Sequence, residues 1–182
     1  AVSQGGSLNI EAKYGQFNAQ IGGSLLDVFT QENNNKVRPV FTEKWSMTWA
    51  ITTPIWREKL RLDYTGNLYG PMRLPLLGDL DPRAKFSPVW SIQNIKISYQ
   101  KDNDWNFFIG VKNLLDWTPA KNNPFLIARS DDPFDRNVQY DASGTIQATN
   151  DNPYALSFDP TYIYAPNQGI RFFIGLNYSL TR

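Results

Sequence analysis

Hydrophobic and polar residues alternate along most of this 182-residue chain. In the stretch GIRFFIGLNYSL near its end, every second residue from Ile170 to Leu180 is apolar, and mostly small or polar residues stand between them. Successive side chains of a β-strand point to opposite sides of a sheet. This period of two therefore predicts a strand whose two faces meet different environments.

The pattern recurs in six further segments, so the sequence predicts seven strands and an all-β fold. The predicted strands cover residues 7–14, 17–25, 44–55, 58–70, 94–100, 105–113 and 170–181. The alternation is broken in two places. Its parity slips near Leu26 and Val28. Trp90 and Ile92 are out of phase with the rest of their strand, which predicts either a β-bulge or a strand that begins above the buried zone.

The connections between these segments alternate strictly in length. They are short at residues 15–16, 54–57 and 102–104, and long at residues 31–41, 70–88 and 116–168. This segregation is typical of an up-and-down antiparallel transmembrane β-barrel with short periplasmic turns and long external loops. The alternative is a soluble β-sandwich that serves as a binding module and buries the apolar side of each strand in a core.

Composition excludes several other classes of protein. No apolar run approaches the roughly 18 residues that a spanning helix needs, so a membrane could be crossed only with strands. A net charge of +1 predicts no nucleic-acid partner, and the absence of Cys and His removes thiolate metal sites and the commonest general base. Without a nucleophile–base pair or a metal-ligand cluster, we expect neither an enzyme nor a resident cofactor or metal.

Seven strands raise the question of closure. Bacterial single-chain barrels have even strand numbers, and an open edge in hydrocarbon leaves backbone groups unpaired. We therefore expect these strands to be one arc of a larger barrel.

The stretch FFIGVKNLLDWTP, residues 107–119, resembles the penultimate strand and following loop of TonB-dependent outer-membrane receptors. That family commonly carries V-x-N-L-[FL]-[DN] there, which Val111, Asn113, Leu114, Leu115 and Asp116 match. The terminal strand is similar to the last strand of the family, and DPTYIYAPNQG looks most like receptors of Bacteroidetes-type bacteria. The final Leu-Thr-Arg departs from the aromatic residue that often ends family members.

The resemblance implies that residues 1–182 are the C-terminal segment of a barrel of about 22 strands in the bacterial outer membrane. The plug domain and the rest of the barrel would belong to a preceding polypeptide, and a TonB-type protein would couple energy. Outer-membrane lipid and a surface lipoprotein are further expected partners. The expected cargo is a scarce bulky solute, first a ferric siderophore or other iron complex, with cobalamin, haem or a glycan as alternatives. A non-energised porin or adhesion barrel is the alternative of another class.

Candidate site residues follow from this topology. In the loop of residues 116–168, aromatic and charged side chains could stack on a ligand and orient it, or could hold the loop together. These candidates are Tyr154, Phe158, Tyr162, Tyr164 and Arg136. The cations expected to face the lumen are Arg61, Lys96, Lys112 and Arg171.

Two further groups have expected roles. In the loop of residues 70–88, the leucines could dock the lipoprotein or pack on a neighbouring loop; they are Leu74, Leu76, Leu77 and Leu80. Five tryptophans near strand ends or turns are expected to anchor the membrane interface. They are Trp45, Trp56, Trp90, Trp105 and Trp117.

Overall fold

A computed structural model describes residues 1–32, 35–56, 59–76, 84–101, 104–122, 139–150, 155 and 163–180 of the chain. Its elements, in order, are β1 Val2–Tyr14, β2 Phe17–Glu32, β3 Asn35–Val37, β4 Trp45–Trp56, β5 Leu60–Tyr69, β6 Trp90–Gln100, β7 Trp105–Lys112, the one-turn helix α1 Pro119–Asn122, β8 Gln139–Tyr140, β9 Ile146–Gln147 and β10 Arg171–Tyr178. In the described part of the chain, no helix has the length and hydropathy needed to cross a membrane.

Seven long strands form one antiparallel sheet in the order β1-β2-β4-β5-β6-β7-β10. The short β3 folds back on the end of β2, and β8 and β9 form a separate hairpin. The predicted all-β fold is confirmed, and each of the seven predicted strands is present. Among the described strands, β1 and β10 each pair on one side only, so the sheet has two edges.

Successive strands of this sheet are joined alternately at its two ends, as the loop lengths predicted. We call the end with the short connections between β1 and β2, β4 and β5, and β6 and β7 the turn end. The opposite end, where residues 70–89 and 113–170 connect their strands, is the loop end. At the tightest turn, Gly15 has a φ of 58°, a left-handed conformation that glycine adopts without steric cost.

Two predicted boundaries are wrong. The segment 31–41 is not wholly a loop, because β2 runs to Glu32 and β3 pairs with it. Pro54 does not belong to a turn either. It lies within β4, beside a register shift between Pro54 and Trp56, which is where a residue without a backbone N–H is tolerated in a sheet.

No β-bulge is present at the start of β6. The register between β5 and β6 is continuous from Tyr69↔Trp90 to Leu60↔Tyr99. Trp90 and Ile92 are therefore out of phase because they point to the opposite face from Ile95, in a part of the strand near the loop end. The slip in β2 has the same origin, since β1 and β2 stay in register past Leu26.

The buried apolar residues lie together at the loop end. They are Met72, Leu74, Trp90, Tyr164 and Ala165, with Tyr69, Leu76, Ile92 and Trp117 packed against them. A β-sandwich would instead bury one whole face of the sheet along the length of its strands. The described core thus fixes the loops to the sheet and leaves most of both faces uncovered.

Candidate functional site

The register assigns every strand residue to one of two faces, because directly paired residues point to the same side and neighbours along a strand to opposite sides. One row crosses all seven strands and is entirely apolar. It consists of Ala12, Ala19, Ile51, Tyr64, Ile95, Val111 and Phe172. We call the side that carries this row the apolar face, and the other side the polar face.

Large side chains on the apolar face are exposed. Ile174 is 83% exposed and Leu8 is 66% exposed. Sixteen large hydrophobic side chains of this face are among the exposed residues: Leu8, Ile10, Tyr14, Phe17, Ile21, Leu25, Met47, Trp56, Ile97, Tyr99, Phe107, Ile109, Phe172, Ile174, Leu176 and Tyr178.

Exposure of this face to water would leave a large amount of hydrophobic stabilisation unused. Fully burying one such side chain is worth about 1.5–3 kcal/mol. Since these sixteen are roughly half exposed, covering them is worth on the order of 12–24 kcal/mol. A typical domain has a net stability of only about 5–15 kcal/mol. An exposed apolar surface of this extent is typical of a face that contacts lipid, a partner or a further part of the protein.

The apolar face is bounded at both ends. Towards the loop end of β1 and β2 its row changes to Gln4 and Asp27, whose side chains are hydrogen bonded at 3.3 Å. On β2 the apolar positions of this face run from Phe17 to Leu25, a segment of nine residues. At about 3.3 Å per residue and a tilt between about 25° and 45°, nine residues span roughly 21–27 Å, a range that includes the 25 Å apolar band of outer-membrane barrels.

Aromatic residues collect where the apolar face meets the turn end. The Trp105 ring lies 4.5 Å from that of Tyr178 and 6.1 Å from that of Phe107, measured between centroids. At the same end of the sheet, four more aromatic residues lie at or next to a strand terminus: Tyr14, Phe17, Trp56 and Tyr99. A girdle of this kind is typical of the boundary between hydrocarbon and water.

The polar face carries all four cations that were expected to face a lumen. Asp63 lies two residues from Arg61 on β5 and directly opposite Lys96 on β6. Asp63 accepts a hydrogen bond from the Thr52 hydroxyl at 2.8 Å and pairs with the Lys96 ammonium at 3.0 Å and with Arg61 at 3.6 Å. This ion-paired group is half-buried in the wall of the sheet.

Lys112 and Arg171 are directly opposite each other on β7 and β10. The Lys112 ammonium lies 5.6 Å from the centroid of the Phe173 ring, a cation–π contact on the polar face. The structure thus brings the predicted cations to one face in two separate pairs, Arg61 with Lys96 and Lys112 with Arg171.

An aromatic cluster joins both long loops to the polar face at the loop end. The Trp90 ring stacks on Tyr69 at 4.4 Å and on Trp117 at 5.3 Å, and Tyr164 meets Trp117 edge-on at 6.0 Å. Leu74, from residues 70–89, is only 1% exposed against this cluster. The described parts of both loops therefore pack against the polar face at the loop end.

This cluster corrects two expectations. Trp90 is 6% exposed and Trp117 is half-buried in the stack, so neither is an interface anchor. Leu74 is buried, so it cannot dock a lipoprotein, and Leu76 packs on the same cluster. Leu77 and Leu80 lie outside the described residues.

A loop clamp, formed by Asn113 and Asp116, closes the long connection between β7 and β10. The buried Asn113 amide donates to the carbonyls of Trp117 at 2.7 Å and Gln168 at 2.9 Å, and its oxygen accepts the Trp117 N–H at 3.1 Å. The Asp116 carboxylate accepts the Ile170 N–H at 2.7 Å. Two ends of a connection more than 50 residues long are thereby held together beside the sheet.

The backbone explains why these residue types stand in the clamp. Asn113 and Asp116 have φ values of 52° and 50°, in the left-handed region where Asn and Asp are enriched. Lys121 also contacts the Asp116 carboxylate. The hydrogen bonds from Lys121 and from the Ile170 N–H lower the pKa of Asp116 below the ordinary aspartate value. The motif that resembles the receptor family thus acts here as a loop fastening.

Of the five residues expected to bind a ligand, Tyr164 alone is described, and it is buried in the aromatic cluster at 7% exposure. This placement fits the alternative role, holding the loop together. Arg136, Tyr154, Phe158 and Tyr162 lie outside the described residues.

Asp141, from the same loop, caps the β8–β9 turn. It accepts hydrogen bonds from the Ser143 hydroxyl at 2.6 Å, the Ser143 N–H at 2.8 Å and the Thr145 N–H at 2.9 Å. The bond from the Ser143 hydroxyl is the first cause of its lowered pKa, followed by the bond from the Thr145 N–H. Across the described ranges, no group of three or more acidic, Cys or His side chains is placed to hold a metal ion.

Comparison with known proteins adds no assignment. A scan against protein-family models found no match to this chain. Searches of curated proteins and of solved structures likewise found none.

Proposed function

We propose that this chain is the C-terminal part of the barrel of a TonB-dependent outer-membrane transporter. In this proposal the apolar face contacts lipid, and the polar face lines an enclosed passage for a scarce bulky solute. A ferric siderophore or other iron complex is the first candidate cargo, with cobalamin, haem or a glycan as alternatives. The observation that carries the proposal is the exposed apolar face that crosses all seven strands.

The ends of the hairpins give independent support. At the turn between β1 and β2, the strand pairing ends with Tyr14, two residues past Ala12 of the apolar row. At the turn between β6 and β7, it ends with Gln100, five residues past Ile95 of the same row. The second turn therefore lies three residues further along the strand direction than the first. Three residues are about 10 Å along a strand, and four strand spacings are about 19 Å across the sheet. The turns thus follow a line tilted by about 25–30°, somewhat below the 35–45° of transmembrane barrels.

The two sheet edges support a larger assembly. β1 presents 13 residues with strand pairing on one side only among the described residues, and β10 presents eight. Each backbone group left unpaired in hydrocarbon costs several kcal/mol, so both edges need further strands. We propose that a preceding polypeptide supplies them together with the plug, and that a TonB-type protein energises transport. A surface lipoprotein remains a further proposed partner.

Uptake by living cells tests this function. Cells that make the protein should accumulate ⁵⁵Fe from a ferric siderophore, cells that lack it should not, and a protonophore should abolish the difference. Unchanged uptake in cells without the protein would contradict the iron assignment. Uptake that persists with the protonophore would instead favour a non-energised porin.

A further inference from the structure

The charges of four neighbouring strands are all on the polar face and are unequal in sign. Strands β5, β6, β7 and β10 contain Arg61, Lys96, Lys112 and Arg171 but only one carboxylate, Asp63. Four cations against one carboxylate leave a surplus of three positive charges. Charge of one sign along a cleft concentrates ions of the opposite sign within it.

Asp63 is already committed to two of these cations. It pairs with Lys96 and Arg61 and accepts the Thr52 hydroxyl. Two of the three surplus charges therefore reside in Lys112 and Arg171. Neither of them forms an ion pair within the described part of the chain.

Like charges placed directly opposite on antiparallel strands destabilise a sheet, since their Cβ atoms are only about 4.5–5.5 Å apart. A bound anion removes this repulsion and makes the pair favourable. The two side chains also offer different donor groups to a bound anion. The planar guanidinium of Arg171 can hold two oxygens of one group, and the Lys112 ammonium adds a point charge.

We infer that Lys112 and Arg171 form a binding position for the oxyanion of a transported solute, a carboxylate or phosphate group. The inference rests on the proposed function, because it requires the polar face to line a water-filled passage. It deepens that function by giving the solute a negative charge.

The position of the pair fits an early contact along the passage. Lys112 ends β7 and Arg171 begins β10, so both lie at the loop end. Asn113 of the loop clamp follows Lys112 directly, and Ile170, which the clamp holds, precedes Arg171. A solute arriving past the long loop would meet these two cations before the Asp63 group deeper along the strands.

Calorimetric titration of the protein in detergent, together with any polypeptide that accompanies it, tests the inference. The probes are citrate, inorganic phosphate and neutral sucrose. The variants are Lys112→Gln and Arg171→Gln, with Lys13→Gln as the control, because Lys13 is paired with Glu11 on the distant β1. Identical circular dichroism of all four proteins establishes that the fold is retained.

The wild-type protein should bind citrate or phosphate but not sucrose, and more weakly as salt is raised. Each site variant should lower the affinity about tenfold or more, and Lys13→Gln should not. Equal losses in all three variants, or no anion binding by the wild type, would overturn the inference. So would anion binding that appears only after an accompanying acidic polypeptide is removed. If the chain folds fully without detergent, the transport proposal fails, whatever the citrate titration shows.

Discussion

Arginine at position 174 tests which solvent contacts the apolar face. Ile174 is 83% exposed and lies in the row formed by Leu62, Ile97 and Ile109 on the neighbouring strands. It is also near the middle of the apolar segment of β10. If lipid covers this face, Ile174→Arg places a charge close to the centre of the bilayer.

The expected cost of Ile174→Arg follows from that depth. A lipid-facing Arg or Lys costs about 2–4 kcal/mol at the midplane and about 0–1 kcal/mol near the interface. The folding equilibrium should therefore fall about 30- to 700-fold, at roughly 1.4 kcal/mol per tenfold. At Tyr178, in the aromatic girdle, the same substitution should cost much less. Asn177→Arg is the matched control, since it places the charge on the polar face of the same strand.

The assay is reversible folding of the assembled protein into lipid vesicles, followed by tryptophan fluorescence over a denaturant titration. If lipid covers the apolar face, the free-energy cost should peak at Ile174, decline at Tyr178 and stay below about 0.5 kcal/mol at Asn177. Equal costs at Ile174 and Asn177 would refute the assignment of faces. A negligible cost at Ile174 would show that this face meets water.

Three further outcomes are expected. Asn113→Ala removes the side-chain hydrogen bonds of the loop clamp and strains a left-handed backbone, whereas Asn113→Gly removes only the hydrogen bonds. Both variants should speed proteolysis of the long loop, and the alanine variant should be cleaved faster than the glycine variant. Cleavage at the wild-type rate would contradict the clamp. Gly175→Ala places a Cβ against the Phe108 ring and should destabilise the sheet by about 1–3 kcal/mol. Phe108→Ala in the same protein should remove part of this loss. If the stability losses of the two substitutions are strictly additive, the two positions are not in contact. The pKa of Asp116 is lower in the folded protein than in the unfolded chain. The contribution of Asp116 to folding stability is therefore fully present above the unfolded pKa, and it should be lost as the pH falls through the folded pKa. The Ile170 amide resonance should report this loss, and a pH response unchanged in Asp116→Asn would contradict it.

The strands and their order were predictable because both depend on local information. Alternation along a strand fixes its faces, and short connections make consecutive strands neighbours. The ends of the strands were harder to predict. β1 and β2 continue past the apolar residues through the pair Gln4 and Asp27, where the backbone ladder persists without a hydrophobic pattern to reveal it.

The aromatic cluster could not be located from sequence because its members come from distant parts of the chain. Trp90, Trp117 and Tyr164 are brought together only by the fold of two long loops. The sequence did give one signal, since Trp90 and Ile92 broke the parity of their strand. Two physical explanations fitted that signal, and the continuous register of β6 decides between them.

The loop clamp was partly predictable from sequence, less than the strands and more than the aromatic cluster. Asn113 and Asp116 stood out as part of a recognisable motif, and residues of these types are enriched in left-handed backbone. Their partners were hidden, because Gln168 and Ile170 return to the clamp more than 50 residues later in the chain. Such contacts depend on tertiary structure.

Spin-label accessibility along β10 tests the central claim most directly. Single nitroxide labels at positions 171–178 of the protein in lipid vesicles would be exposed in turn to oxygen, which partitions into hydrocarbon, and to a water-soluble nickel chelate. We expect strict alternation, with positions 172, 174 and 176 open to oxygen and positions 173, 175 and 177 open to the chelate. Equal access of the chelate to both sets, or access of neither reagent to positions 172, 174 and 176, would contradict it.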